Sequence, residues 1–267
     1  MSKILQFKAK DKQGKVRNTG CMEIKNQTST SAELYLYGDI ISESMSEYYK
    51  EYYPDDKCPK DIKDFLDDIG DVDNIDIHIN SGGGSVFGGI AIYNLLKNHK
   101  AYKTVYIDGI AASIASVIAM VADKLVAANN STLMVHKPLL SYFFTTMNAD
   151  DLRKDAETLD NCQKAIMNTY MSKVKDGVTK ETIEALVNEE TWLVGSEIAN
   201  YFDIEVEDGI EAAACESEYF EKYLNIPKDL KEIPQKAADT EQSMKDTEKQ
   251  NEAIKNQLLE DLDLYGF

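Results

Sequence analysis

Basic residues are scarce beside acidic ones, 29 against 47, which leaves a formal net charge of −18. A surface of that sign repels phosphate backbones, so nucleic acid is not an expected partner. Cysteine is sparse too. Cys21, Cys58, Cys162 and Cys215 form no CxxC pair and no zinc-like spacing, so the sequence predicts neither a metal nor a disulfide framework. Long apolar runs are missing: the longest, Ile110 to Ala122, is too short to span a bilayer and is rich in Ala and Ser. At the start, Met1-Ser2-Lys3-Ile4-Leu5-Gln6 is followed by charged residues rather than an apolar stretch, which argues against a signal peptide. The expectation is a soluble, cytoplasmic protein with no membrane contact, no metal and no organic cofactor.

What is present is a regular alternation of strand and helix signals. Residues 1–30 are polar and punctuated, and read as a hairpin or a poorly ordered opening segment. Ala32 to Ile40, which alternates apolar and aromatic residues, and Ile75 to Asn80, which alternates strictly, read as strands. Between them, Ile62, Phe65, Leu66 and Ile69 mark a helix that starts near Pro59 and stops at Gly70. Further on, the patterns predict a helix over Val86–Lys97, a strand over Thr104–Asp108, and a helix of small residues over Ala111–Asp123. Short strands follow over Lys124–Ala127 and Thr132–His136, then a long helix over Asn148–Lys175, with Leu152, Ala156, Leu159, Ile166, Tyr170 and Val174 on one face. Thr179 and Ser196 read as caps of two shorter helices, and Ile204–Val206 as a last strand. This order implies an α/β architecture with parallel crossovers. From about Asp208 the composition turns acidic, and Ala237–Glu260 is charged, Gln-rich and only weakly striped, so residues 211–267 read as a linker and an amphipathic or disordered tail.

Chemistry-bearing residues gather between Ile79 and Pro138. Ser113 stands after a strand at the opening of a helix, where its hydroxyl is exposed and the N–H of Ile114 points out of the same turn; it is equally readable as a small residue packed in a crowded Ala/Ser helix. A serine nucleophile needs a base of near-neutral pKa, and there are only three histidines. His99 lies in a basic helix end and His78 in a half-buried strand, whereas His136 ends a strand at a natural mouth position; a structural or merely exposed histidine is the alternative there. The run Gly82-Gly83-Gly84 suits close backbone approach and positive φ. A phosphate cradle fits less well, because no Gly-Lys-Ser/Thr follows.

Three blocks carry a family resemblance: Ile-Asn-Ser-Gly-Gly-Gly-Ser-Val from Ile79, Gly-Ile-Ala-Ala-Ser-Ile-Ala from Gly109, and Met-Val-His-Lys-Pro from Met134. They resemble the INSPGGxV, GxAASMG and MIHQP blocks of the ClpP family of Clp protease proteolytic subunits, over about Leu34 to Val206. The resemblance implies a ClpP/crotonase-like ββα spiral core over residues 31–210, with Asn148–Lys175 as a handle helix through which rings of subunits stack. It implies Ser113 as nucleophile, His136 as general base, and the backbone N–H groups of Gly84 and Ile114 as oxyanion hole, with Gly82 and Gly83 along the substrate. The family's third triad member is an aspartate in an Arg-Asp-x-Phe context; here the segment reads Glu189-Glu190-Thr191-Trp192-Leu193, which sets Glu190 at that place. An exposed acid at a helix end is the alternative for Glu190, with Asp176, Glu189 and Asp203 in reserve. Gly82 in place of the family's proline, the glutamate and the acidic tail look more like the ClpP-related head-maturation proteases of tailed phages. The implied partners are a polypeptide substrate (capsid or scaffold proteins in the phage case), copies of the same chain in a homo-oligomeric ring, and an ATP-driven unfoldase.

Two rivals remain at this stage. One is a crotonase-type acyl-CoA enzyme, which shares the spiral and the paired N–H site without a nucleophilic serine. The other is a catalytically weak scaffold or capsid-assembly protein that keeps the domain and uses its charged tail.

Overall fold

The computed structural model describes residues 2–10, 16–40, 59–141, 146–208, 215 and 217–227. The chain divides into a compact unit, Met1–Pro227, and a second unit, Lys228–Phe267, which lies outside the described residues, as does the expected amphipathic or disordered tail.

The architecture is mixed α/β, built on a nine-stranded mixed sheet. Strands β1 (Lys3–Lys10), β2 (Val16–Lys25) and β3 (Ser31–Gly38) form an antiparallel meander. From β3 the sheet continues in parallel through β4 (Asn74–Ser81), β5 (Tyr102–Ala112) and β6 (Lys124–Ala128). A short strand β7 (Thr132–Val135) runs parallel to the last residues of β5, and β8 (Thr191–Val194) pairs antiparallel with β7. At the far side, β9 (Glu205–Glu207) runs parallel to β6. Helices α1 (Pro59–Asp67), α2 (Val86–Asn98) and α3 (Ile114–Ala119) come from the crossovers, and α4 (Ala149–Met171) and α5 (Lys180–Asn188) follow β7.

The alternation in the strands decides which face is buried. Leu34, Leu36, Ile77, Ile79, Val105 and Ile107 are at most 2% exposed and pack in one core with Ile92 and Leu96 of α2. Each such side chain contributes roughly 1.5–3 kcal/mol by leaving water. The intervening residues Tyr35, Tyr37, His78, Tyr106 and Asp108 lie half-buried on the other face. There His78 stacks between Tyr35 (4.6 Å between ring centres) and Tyr106 (5.0 Å).

Of the two readings of residues 1–30 the hairpin holds: β1 pairs antiparallel with β2, Phe7 and Met22 are fully buried, and β2 pairs with β3 from Gly20↔Gly38 to Lys25↔Glu33. Other expectations are corrected. The strand expected over Thr104–Asp108 does not end there; β5 passes through Gly109 to Ala112, so the helix expected over Ala111–Asp123 is α3, which opens at Ile114 and is only six residues long. In α4, nothing from 149 to 165 is buried, and Leu152 is 53% exposed; only Ile166, Met167 and Tyr170 face the core. Its start is fixed instead by a capping box, in which Asn148 Oδ1 accepts from the N–H groups of Asp150 (2.8 Å) and Asp151 (3.1 Å), and Asp151 accepts from the N–H of Asn148. Thr179 caps α5 by accepting from Thr182 N–H, as its position predicts, whereas Ser196 sits inside a 3-10 turn, Gly195–Asn200. No helix among the described residues is long and apolar enough to cross a membrane.

Candidate active site

Three neighbouring strands end at the same place. Strand β5 exchanges partners along its length, pairing with β6 at Thr104–Ile107 and with β7 at Ile110–Ala112. The register with β4 shifts between Ile79 and Ser81, and Asn80 Oδ1 fills the gap by accepting from Ile110 N–H at 3.1 Å. One residue beyond the Ala112↔Met134 pair, Ser113 N–H donates to the Met134 carbonyl at 3.0 Å. His136 lies two residues beyond Met134. The two chain ends thereby set Ser113 Oγ 2.6 Å from His136 Nε2. In the tautomer with its proton on Nδ1, the imidazole accepts the serine proton.

Ser113 has φ 55° and ψ −125°, a conformation that favours glycine and costs a non-glycine residue on the order of 1–3 kcal/mol. The bend is braced from below. Ser116 Oγ donates to the Ser113 carbonyl at 2.6 Å, and the fully buried Tyr170 hydroxyl of α4 meets Ser116 Oγ at 2.7 Å. With the Ser116 proton committed to that carbonyl, the Tyr170 hydroxyl is the donor to Ser116, and burial pushes its pKa up.

Strand β8 pairs its first residue, Thr191, with Val135, the last of β7. Glu190 and His136 are the residues just beyond that final pair, outside the ladder, and close enough for the Glu190 charge to act on the imidazole. Glu190 is 8% exposed with φ 51°, so it is a buried acid at a sharp bend and not an exposed one at a helix end. Asp176, Glu189 and Asp203, the reserves, are all exposed. Burial holds the His136 imidazole below its ordinary pKa, and the Glu190 charge opposes that shift. The carboxylate makes its hydrogen bond elsewhere: Glu190 Oε1 accepts from Asn225 N–H at 2.6 Å.

The glycine run lies against the serine. A side chain at Gly83 would stand 2.7 Å from Ser113 Cβ and 2.8 Å from the Ala112 carbonyl oxygen, and one at Gly84 would stand 2.0 Å from the Ile40 carbonyl oxygen. With φ of 104° and 144°, both positions require glycine. The Ile40 N–H donates to the Gly83 carbonyl at 2.8 Å and the Ser85 N–H to the Ile40 carbonyl at 2.7 Å, which pins the turn beside Ser113.

The other two histidines are occupied elsewhere. His78 Nδ1 lies 3.0 Å from Asp108 Oδ2, and His99 ties a loop by Nε2 to the Gly70 carbonyl at 2.8 Å. Sequence reasoning missed the residues that cover the site. Tyr223 places its ring centre 5.1 Å from that of His136, edge to face, and 5.9 Å from that of Trp192. Its hydroxyl donates to the Gly82 carbonyl at 2.5 Å. Asp39, 2% exposed, accepts from Ser217 Oγ. The signal available in the sequence was a cluster of aromatics, Tyr219, Phe220 and Tyr223, inside an otherwise acidic stretch.

Comparison with known proteins gives a consistent picture. Residues 63–202, just over half of the chain, match the family model for Clp protease. The chain is 30% identical over 125 residues to the ATP-dependent Clp protease proteolytic subunit 1 of Chlamydia abortus, covering 46% of this chain and 64% of that one. A protein of the same description from Chlamydia pneumoniae is 24% identical over 177 residues, covering 63% of this chain and 91% of the relative. The ATP-dependent Clp protease proteolytic subunit 2 of Prochlorococcus marinus is 32% identical over 139 residues, covering 51% and 67%. Against the Chlamydia abortus protein, the match thus spans less than two thirds of the relative's length.

Proposed function

Because the chain belongs to the Clp protease family, we propose that it is a serine endopeptidase working through Ser113, His136 and Glu190. The observation that carries this reading is the 2.6 Å approach of Ser113 Oγ to His136 Nε2 at the ends of two paired strands. Ser113 Oγ bonds to the peptide carbonyl carbon as its proton passes to His136 Nε2. The backbone N–H groups of Gly84 and Ile114 receive the oxyanion. His136 then returns the proton to the leaving amine as the C–N bond breaks, and water, activated by the same imidazole, releases the acyl group. Glu190 stabilises the imidazolium that forms in each half. Gly82 and Gly83 border the substrate backbone. The chemistry requires no metal or organic cofactor.

The relatives are described as subunits of an ATP-dependent protease, and the long unburied half of α4 supports assembly of this chain into a homo-oligomeric ring, with α4 as the handle. An unfoldase partner follows from the same likeness. A role in phage head maturation, with capsid or scaffold polypeptides as substrates, is supported by Gly82 in place of proline, by Glu190 in place of aspartate and by the acidic composition beyond Asp208. One observation favours a second reading, a catalytically weak scaffold: the Glu190 carboxylate is bonded to Asn225, and no hydrogen bond joins it to His136.

The test is incubation of the full chain with an unfolded polypeptide, followed by mass analysis of the products. New termini from the wild type and none from Ser113→Ala support the peptidase; identical products from both would remove Ser113 from the reaction.

A further inference from the structure

Residues 217–227 form a strap across the candidate site, with contacts to His136, Glu190 and the Gly82–Gly83 turn. Tyr223 packs edge-on to the His136 ring, donates its hydroxyl to the Gly82 carbonyl, and lies with Ser113 against Gly83, where an added Cβ would stand 3.1 Å from the Tyr223 hydroxyl and 2.7 Å from Ser113 Cβ. The Asn225 N–H takes the Glu190 carboxylate at 2.6 Å, and Asn225 Nδ2 donates to the Glu189 carbonyl at 2.8 Å. Ser217 is anchored on Asp39, and Cys215, just ahead of the strap, is buried with its Sγ 3.7 Å from the Asn80 carbonyl oxygen. A peptide laid along Gly82 and Gly83 to present a carbonyl to Ser113 needs the same backbone face and the same space.

We propose that this strap is an autoinhibitory occupant of the substrate cleft, so that Ser113 reacts only when the strap lifts. This rests on the acyl-transfer reading of Ser113 and His136. Tyr223 occupies the Gly82 carbonyl and the face of His136 with a side chain that offers nothing to cleave, and Asn225 diverts Glu190 from the imidazole; the seated strap therefore blocks the cleft and leaves the triad incomplete.

Its attachments are those of a displaceable element. Its regular structure is a single 3-10 turn, Glu218–Lys222, and Leu224 and Asn225 are exposed. Tyr223 and Ile226 are its buried anchors, each 7% exposed. The strap also leaves the indole N–H of Trp192 buried without a partner among the described residues, an imperfect fit at the centre of the cleft. Seating depends on Gly82: a Cβ there would stand 2.2 Å from Ser217 Oγ and 3.1 Å from Phe220 Cε1. Few buried contacts and exposed flanks place such a segment at the low end of local stability.

The test is the rate of Ser113 modification in the full chain by a small fluorophosphonate, with the adduct located by peptide mapping. A strap seated 90–99% of the time slows the reaction by roughly 10- to 100-fold, so Tyr223→Ala is expected to accelerate labelling by that factor. Tyr223→Phe, which keeps the ring and loses the bond to Gly82, is expected to fall between. Gly82→Ala ejects the strap from the opposite side and is expected to accelerate labelling without any change in the strap itself. Equal rates in wild type, Tyr223→Ala and Gly82→Ala, all melting as folded proteins, would overturn the strap while leaving the site intact. No Ser113 adduct in any of the four proteins would overturn the acyl-transfer reading, and the strap with it.

Discussion

His136 and His78 stand on the same sheet, two strands apart, and each has a polar partner within 3.0 Å. Their surroundings differ in kind. His78 is in mid-strand, sandwiched between Tyr35 and Tyr106, and its partner Asp108 is shared with the Tyr37 hydroxyl at 2.5 Å. The Asp108 carboxylate, His78 Nδ1 and the Tyr37 hydroxyl are bonded to one another there, and Tyr35, whose hydroxyl donates to Glu33 at 2.8 Å, is pushed up to about 12 by burial and that neighbouring carboxylate. His136 is one residue past the end of its strand, desolvated, and faces a hydroxyl on a backbone bent into positive φ. A histidine in a closed ladder holds structure together. One at a strand end, beside a strained serine, has a proton to accept.

Substitutions can sharpen that contrast or break it. Ser113→Ala is expected to have the largest effect, loss of all detectable polypeptide cleavage, because the bond-forming atom is removed; product analysis by mass reads it directly. His136→Ala is expected to slow Ser113 acylation by roughly 10²–10⁴-fold, the usual contribution of a general base. Glu190→Gln keeps size and removes charge, and is expected to cost less, about 10- to 100-fold, because it acts through the imidazole. The pH profile separates the last two roles. Burial lowers the His136 pKa, so the base is neutral over a wider range and the acid limb of the rate profile is expected below the ordinary histidine value of about 6.5. Glu190 raises that pKa, so Glu190→Gln is expected to move the limb further down; an upward move would contradict the assigned role.

The same burial has a consequence for stability. A histidine held neutral in the fold binds fewer protons than the unfolded chain, so its stabilising contribution is complete above about pH 6.5 and is lost as pH falls toward the lowered folded value. Smallest of all is His78→Ala. It is expected to leave the labelling rate within about twofold while lowering stability by about 1–3 kcal/mol, the sum of two ring contacts. A large loss of labelling with unchanged melting would erase the distinction between the two histidines.

Much of the scaffold was legible because burial on one face forces a period of two. Ile75, Ile77 and Ile79 identify β4, and the spacing of Ile62, Phe65, Leu66 and Ile69 identifies α1. The glycine run, Ser113 and His136 were legible because each needs its residue type: Gly83 and Gly84 have no room for a Cβ. What escaped depends on partners distant in sequence. Gly109 looks like a turn until β7 is seen to take over from β6 as the neighbour of β5. Strand β8 has only four residues and no clean alternation, so the pairing with β7 that ends next to Glu190 and His136 is visible only in the fold. The strap has no periodicity at all. Its attachment lies in single residues, Ser217, Tyr223 and Asn225, scattered through a charged stretch that reads as linker.

The central claim is that Ser113 and His136 form an assembled acyl-transfer pair. The most direct measurement is fluorophosphonate labelling of the purified full chain with the modified peptide sequenced. The expected result is one adduct, on Ser113, that disappears in His136→Ala and persists in His78→Ala. An adduct on another residue, or none even in folded Tyr223→Ala, would contradict it.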